Sequence, residues 1–336
     1  MWAAAEMTAP PAGLFAVDGL EVELCFRDGR RVKGIDGVSL QVGEGEALAL
    51  VGESGSGKSL IAMGGVDLLP AGAEVVGGRT TFLGQVLQDL AEADWQRLVG
   101  MGIGVLLQDA IGSWDPIELV GPQSGEVLEV HEKLGPEEVR RRVLEALGRV
   151  RLPRRLKYLS YAHEMSRGQA QRAMLAAALL SMPRMLIADE PLSGLDVTVA
   201  RSILGLIDDM RRERGMGLLL VTHDLGVVAA VADRVAVIYG GMVVEEAPAG
   251  ALYRAPQHPY TDGLLGSVPA FARGRLRPIP GEPPELWDLP AGCPFHPRCA
   301  HAVAACRSQR PQLRPVGETL VACWRAGELA LPGIGA

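Results

Sequence analysis

A chain of 336 residues with 40 acidic and 33 basic side chains carries a net charge of −7, which argues against nucleic acid as its main partner. Aromatic residues make up 4%, too few for a stacking platform on single strands. Hydrophobic residues make up 48%, ample for a core, yet the most apolar stretch, Ala173 to Ala188, is broken by Ser181, Pro183 and Arg184 and falls short of a membrane span.

The length suits one large domain with a smaller one. Met1 to Pro11 has no basic region followed by an apolar core. No secretory signal is therefore expected, Met7 is a candidate start, and the chain is expected to stay in the cytosol. Leu20 to Leu24 and Val38 to Val42 alternate with period two and predict strands, punctuated by Gly29, Gly34, Gly37 and Gly43. Phe26, in that region, is open to two readings: a wall for a nucleotide base, or a core or edge phenylalanine.

Ala47 to Val51 is a short apolar run, as a buried parallel strand requires. It leads into Gly52-Glu53-Ser54-Gly55-Ser56-Gly57-Lys58-Ser59, which fits G-x-x-x-x-G-K-[ST] at every fixed position. Leu60-Ile61-Ala62-Met63 can then open a helix, and Leu60 is grouped with the nucleotide-binding residues. The glycines let the backbone turn tightly, so several N–H groups point at one anion, and the helix N-terminus adds partial positive charge. Lys58 is placed to reach the β- and γ-phosphates, and the Ser59 hydroxyl to ligate Mg²⁺.

Gly102 to Gln108 is another apolar strand, and its polar last residue sits where α/β sheets bind ligands. Residues 85–165 are expected to form a helical insertion, with Pro136 at a first helical position and Val139, Val143, Leu147 and Val150 on one face. Ser166 is a candidate N-cap of the next helix, and Pro183 stops it. Met185 to Ala188 is a buried strand ending in Asp189-Glu190-Pro191. The first acid can hold Mg²⁺ against Ser59, and the second can orient and deprotonate an attacking water. Residues 197–214 form an amphipathic helix, and Leu218 to Val221 a strand ending in Thr222-His223-Asp224. Val235 to Tyr239 and Met242 to Glu245 predict a hairpin across Gly240-Gly241. Beyond about residue 250 prolines crowd in and apolar periodicity fades, which predicts a small, loop-rich appendage. The expected division is 13–255 and 256–336.

The ordered set resembles the nucleotide-binding subunits of ATP-binding-cassette (ABC) transporters. Gly52–Ser59 matches Walker A, Gln108 the Q-loop, and Met165–Gln169 (with Ser166, Arg167 and Gly168) the signature. Met185–Asp189 matches Walker B, Glu190 the catalytic carboxylate, Ser193–Asp196 the D-loop, and His223 the switch histidine. The resemblance implies an α/β P-loop fold with a mixed sheet core, an antiparallel β subdomain and a helical subdomain. It also implies that ATP and Mg²⁺ are bound, with Gln108 contacting both, Asp196 in the dimer contact, and the signature acting on a partner's ATP. Glu53-Ser54-Gly55-Ser56, Leu107-Gln108-Asp109, Trp114-Asp115-Pro116 and Gln257-His258-Pro259-Tyr260-Thr261 look like the dipeptide/oligopeptide/nickel importer branch. Implied partners are a second ABC ATPase, making a heterodimer rather than a homodimer, two transmembrane permease subunits touched by region 109–130, and indirectly a substrate-binding protein. The implied location is peripheral, on the cytoplasmic face of the membrane. A soluble ABC ATPase acting on nucleic acid or ribosomes, and an importer of nickel or another small ligand, are the alternatives. Arg167 departs from the family, which has glycine there: it either weakens the shared site or swings outward or toward phosphate.

Cys25 lies in a predicted strand, as a buried thiol. Cys293, Cys299, Cys306 and Cys323 cluster in the tail, and four cysteines in a loop-rich cytosolic segment suggest metal ligation rather than disulfides. Their spacing, C-x5-C-x6-C-x16-C, is neither a zinc ribbon nor a standard ferredoxin run. Four thiolates suit Zn²⁺ or a [4Fe–4S] cluster, and free thiols are the third reading. The resemblance favours the cluster, with His296 and His301 as substitute ligands. The tail also resembles the branch's C-terminal domain, through Leu289 to Phe295, Arg298-Cys299 and Val321 to Trp324.

Overall fold

The computed structural model describes residues 13–269, 271 and 276–334, so the expectations for Met1 to Pro11 and for Met7 lie outside the described residues. The chain opens with β1 (Phe15–Cys25), β2 (Arg31–Val42) and β3 (Ala47–Val51), followed by α1 (Lys58–Gly64), β4 (Ala73–Phe82) and β5 (Gln85–Val86). Strands in the order β2-β1-β4-β5 form an antiparallel sheet. Phe15, Val17, Leu20 and Val22 of β1 are buried on its inner face, where the apolar side of α1 (Ile61, Ala62, Met63) packs. The period-two pattern of the sequence thus becomes one dry face and one wet face.

The chain continues through α2 (Glu92–Gly102), β6 (Ile103–Leu106), α3 (Val120–His131), α4 (Pro136–Arg149), α5 (Arg154–Tyr158) and α6 (Arg167–Ala178). Next come β7 (Met185–Asp189), α7 (Val197–Arg214), β8 (Gly217–Thr222), α8 (Leu225–Val231), β9 (Arg234–Tyr239) and β10 (Met242–Pro248). The segments after β10 are α9 (Ala249–Arg254), α10 (Pro259–Gly266), α11 (Ala304–Ser308), β11 (Arg314–Val316) and β12 (Thr319–Val321). The main sheet has the order β11-β12-β10-β9-β3-β8-β7-β6. It is parallel from β9 to β6 and antiparallel from β9 out to β11. All five residues of β3 and all five of β7 are buried, as expected of central strands covered on both faces.

Two expectations are corrected. The helical insertion is narrower than 85–165: the strand expected within Gly102 to Gln108 forms as β6 and joins the main sheet, Ile103 opposite Met185 and Leu106 opposite Ala188. The helices without a strand partner begin at Val120 and pack through Leu128, Val139, Val143 and Leu147 onto α6. The segment after residue 250 is not an appendage beside the sheet: β12 pairs with β10, Val321 opposite Glu245. Cys293, Phe295 and Cys306 share one core with Val237, Tyr239, Leu252 and Tyr260. No helix among the described residues is long and apolar enough to cross a membrane.

Candidate active site

β3, β7 and β8 are adjacent and parallel, so their carboxyl ends share one edge of the sheet. The phosphate loop leaves β3 there. A Cβ on Gly52 would stand 2.3 Å from the Ile238 carbonyl oxygen, so only glycine lets the loop lie against β9. Gly57 has φ 102°, and a Cβ there would stand 2.7 Å from Ile35 Cδ1. Lys58 Nζ donates to the Gly52 and Glu53 carbonyl oxygens, each at 2.9 Å. Burial pushes the pKa of Lys58 down, and the nearby Glu190, Asp189 and Glu53 carboxylates oppose that shift. Ser56 Oγ is buried with no hydrogen-bond partner among the described residues. Ser54 and Gly55 are exposed at the loop's tip, and Leu60 is half-buried behind it.

Asp189, at the end of β7, is buried, and burial pushes its pKa up; a hydrogen bond from Ser59 and the charge of Lys58 pull it down. Its Oδ1 has no partner among the described residues. A hydroxyl and a buried carboxylate with a free oxygen make a hard-oxygen donor set, the chemistry Mg²⁺ prefers, so the residues fit that ion. Glu190 follows with φ 49°, a conformation that costs a non-glycine residue about 1–3 kcal/mol. Its N–H donates to the Val221 carbonyl oxygen at 2.9 Å, which ties the strained turn to β8. His223, just past β8, places Nδ1 2.7 Å from Glu190 Oε1. Two acids, a lysine, a hydroxyl and an imidazole, gathered from three strand ends, therefore meet at one edge.

Gln108 is exposed two residues past β6, at the same edge. Ser166 caps α6 in a capping box: Gln169 N–H donates to Ser166 Oγ, and Ser166 N–H to Gln169 Oε1, each at 3.3 Å. Ser166 and Arg167 are exposed, while Gly168 and Gln169 are half-buried. Arg167 folds toward Gly194, where an added Cβ would lie 3.0 Å from Arg167 Cδ. It also lies close enough to Asp109 to help hold that carboxyl low, after the Gly112 and Ile111 N–H groups. Asp196 caps α7, accepting from the Thr198 and Val199 N–H groups at 3.0 Å each. Phe26 is half-buried, with the Arg30 guanidinium 4.4 Å above its ring and Trp287 edge-on at 6.0 Å. Leu107, Trp114, Gln123, Val127 and Val130 line a groove of about 570 Å³ that also reaches Met174 of α6.

The four tail cysteines are free thiols that line one small cavity with His258, His296 and His301. Burial pushes Cys293 up to about 11 and raises Cys299 and Cys323. Among the described residues no group of three or more His, Cys, Asp or Glu side chains is set to hold a metal ion. The expected ligand set of Cys293, Cys299, Cys306 and Cys323 is thus convergent but not arranged as a centre, and His296 Nδ1 is engaged with the Cys293 carbonyl oxygen at 3.0 Å. Burial favours the neutral thiol over the thiolate that ligates a metal.

The sequence reading missed the neighbours of Glu53. Its carboxylate pairs with Arg298 at 2.6 and 2.9 Å, and its N–H donates to the Tyr260 hydroxyl at 2.8 Å. Both partners stand in motifs noted above only for resemblance, His258-Pro259-Tyr260 and Arg298-Cys299.

A family model described as "ABC transporter" matches residues 35–193, and one described as "Oligopeptide/dipeptide transporter, C-terminal region" matches 244–306. The chain is 45% identical over 303 residues to "Oligopeptide transport ATP-binding protein OppD" of Mycobacterium bovis, covering 88% of this chain but 49% of that protein. It therefore spans about half the length of that relative. It is 40% identical over 332 residues to "Probable peptide ABC transporter ATP-binding protein y4tR" of Sinorhizobium fredii, covering 96% of this chain and 98% of that one. The fold is shared with the ATP-binding cassette MJ0796, solved as a dimer bound to ADP and Pi, at TM-score 0.63 and 24% identity over 70% of this chain and 98% of that one. With the phosphate loop, the strand-end acids and the full-length relative all in agreement, the chain belongs to the ATP-binding proteins of the ABC transporter family, in its oligopeptide/dipeptide branch.

Proposed function

We propose that this chain is the ATP-hydrolysing subunit of an ABC importer for di- or oligopeptides. It works as a heterodimer with a second ATPase on the cytoplasmic face of two membrane permease subunits, supplied by a substrate-binding protein. The observation that carries this reading is Glu190 hydrogen-bonded to His223 at 2.7 Å beside Lys58, Ser59 and Asp189.

Lys58 exchanges its two carbonyl partners for phosphate oxygens, a gain because phosphate is charged and a carbonyl is not. Ser59 and Asp189 hold Mg²⁺, which when bound neutralises charge on the phosphates. Glu190 takes a proton from the attacking water, and His223 holds that carboxylate in place. The signature, Ser166 to Gln169, with Ser166 and Arg167 exposed, faces the ATP of the second cassette, and Gln108 senses nucleotide at the sheet edge. ATP then favours the closed pair of cassettes over the open one, and this differential affinity drives the membrane subunits. The groove beside Leu107 and Trp114 is the proposed seat for the permease. Phe26, already flanked by Arg30 and Trp287, is proposed to face the base. The four cysteines are proposed to hold a [4Fe–4S] cluster, with Zn²⁺ as the alternative; free thiols around one cavity and a soft donor set support this.

A pull-down in mild detergent with ATPase and metal assays tests the reading. The expected result is two membrane subunits, a second cassette, magnesium-dependent ATP turnover, and iron in the purified protein. Recovery on ribosomes or nucleic acid instead contradicts the importer. Zinc or no metal contradicts the cluster alone.

A further inference from the structure

We propose that Arg298 is a positioning residue for the phosphate loop, acting through Glu53, so that the C-terminal segment sets how tightly the loop holds nucleotide. This rests on the ATP-binding reading above and names a control that the strand-end residues do not supply.

Glu53 is the first variable position of the phosphate loop, directly after Gly52. It is held at three points. Its carboxylate takes a two-pronged pair from Arg298, Nη1 to Oε2 at 2.6 Å and Nη2 to Oε1 at 2.9 Å. Its N–H donates to the Tyr260 hydroxyl at 2.8 Å, and its carbonyl oxygen accepts from Lys58 Nζ at 2.9 Å. No other residue of the loop is fastened to the C-terminal segment through both side chain and backbone among the hydrogen bonds of the described residues.

Arg298 is built for one place. Its side chain is 6% exposed, and all five of its N–H groups are engaged. Besides the Glu53 carboxylate, Nε donates to the Pro280 carbonyl oxygen at 2.9 Å, Nη2 to Gly281 O at 3.2 Å, and Nη1 to the Tyr239 hydroxyl at 3.3 Å. A planar guanidinium with every donor used has one orientation available. Its guanidinium lies over the Tyr239 and Phe295 rings, which cluster with Tyr260 at ring centroids 4.5 to 5.3 Å apart. Glu53 and Arg298 are 245 residues apart in sequence, so the pair fastens the first functional loop to a segment at the other end of the fold.

Electrostatics gives the pair a purpose beyond packing. A carboxylate one residue from a triphosphate site repels the ligand, and a buried guanidinium bound to both oxygens cancels that repulsion. Removing the guanidinium does two things at once: it frees the loop and unmasks a negative charge at its mouth. Removing both charges leaves no repulsion behind. A residue that merely filled space would not show that recovery.

The test uses the full chain, a magnesium-supported titration with trinitrophenyl-ATP for Kd, ATPase kinetics for kcat and KM, and thermal melting for folding. Arg298→Ala is expected to raise Kd and KM about tenfold, the loss of one charge-assisted pair, with kcat changed less than about twofold. Arg298→Lys, which keeps charge but loses the fork, is expected to fall between. The double variant Glu53→Gln/Arg298→Ala, which removes the unmasked charge while the loop stays unfastened, is expected to recover part of that loss and to remain weaker than wild type. Should Arg298→Ala fail to fold, Arg298→Lys and the double variant still decide the matter. Unchanged Kd in Arg298→Lys and Arg298→Ala, a loss confined to kcat, or a double variant no better than Arg298→Ala overturns the proposal. A wild-type chain that binds no trinitrophenyl-ATP overturns the ATP-binding reading as well, which separates the two failures.

Discussion

Arg167 stands where the family has glycine, and its aliphatic stem folds toward Gly194 while the guanidinium lies near Asp109. The bulk is carried sideways, across the start of α6, where Ser166 and Gln169 cap each other normally. The site shared with a partner's phosphate loop is nonetheless proposed to be structural, on the loss of the close backbone approach that glycine allows there, while the site on this chain's own Lys58, Asp189 and Glu190 is proposed to turn over. Restoring the family residue tests the point: Arg167→Gly is expected to leave transport within about twofold of wild type, and a collapse of uptake would show that the arginine is needed. At this scale the sequence was informative wherever chemistry sits at a strand end. Asp189, Glu190 and His223 could be grouped because parallel strands deliver their tips to one edge. The Glu53–Arg298 pair was hidden, because nothing in a single sequence links positions so far apart. The strain at Glu190 was hidden too, since a positive φ at a glutamate leaves no compositional trace.

Among the elements, α7 matches its expected span, 197–214, because both ends are written locally: Asp196 caps it and Gly215 ends it with φ 66°. Ile203, Ile207 and Met210 give it one buried stripe. β6 falls within the apolar run Gly102 to Gln108 that the sequence marks as a strand, and its pairing with β7 limits the helical part of 85–165 to the segments around it. Short α10 shows what the Gln257-His258-Pro259-Tyr260 motif does. His258 Nδ1 accepts from Tyr260 N–H at 3.0 Å, and the Glu245 carboxylate accepts from the Gln257 and His258 N–H groups at 2.7 and 2.8 Å. A fully buried imidazole acting as acceptor must be neutral, and burial pushes its pKa from the ordinary 6.5 down to about 3. The unfolded chain therefore binds the proton first. This contribution is complete above about pH 6.5 and is lost as pH falls from there toward 3, at about 1.4 kcal/mol per pH unit. In denaturant melts between pH 7 and 4, wild type should lose stability more steeply with falling pH than His258→Asn, which keeps an acceptor but does not titrate. Parallel slopes in the two proteins would contradict the assignment.

Over the whole molecule, the two sheets with α1 between them form the nucleotide half of the fold, and that architecture was legible from the phosphate loop and its flanking strands. The C-terminal segment was not. Ten prolines between residues 256 and 297 mask the regular pattern, and three-residue strands such as β11 and β12 carry too few side chains to show a period. The pairing of β12 with β10 joins the tail to the main sheet, with Cys293 and Cys306 in one core with Tyr239 and Tyr260. The consequence is a chain in which the phosphate loop, the strand-end acids and the C-terminal segment are mechanically continuous.

In the proposed cycle ATP closes two cassettes, and Glu190 helps to cut the terminal phosphate so that they part. The most direct measurement is ATP turnover and nucleotide retention in the assembled complex, wild type against Glu190→Gln. Loss of a general base predicts turnover reduced about 100-fold or more, ATP retained at the interface, and no transport. Equal ATPase rates for Glu190→Gln and wild type would contradict the account.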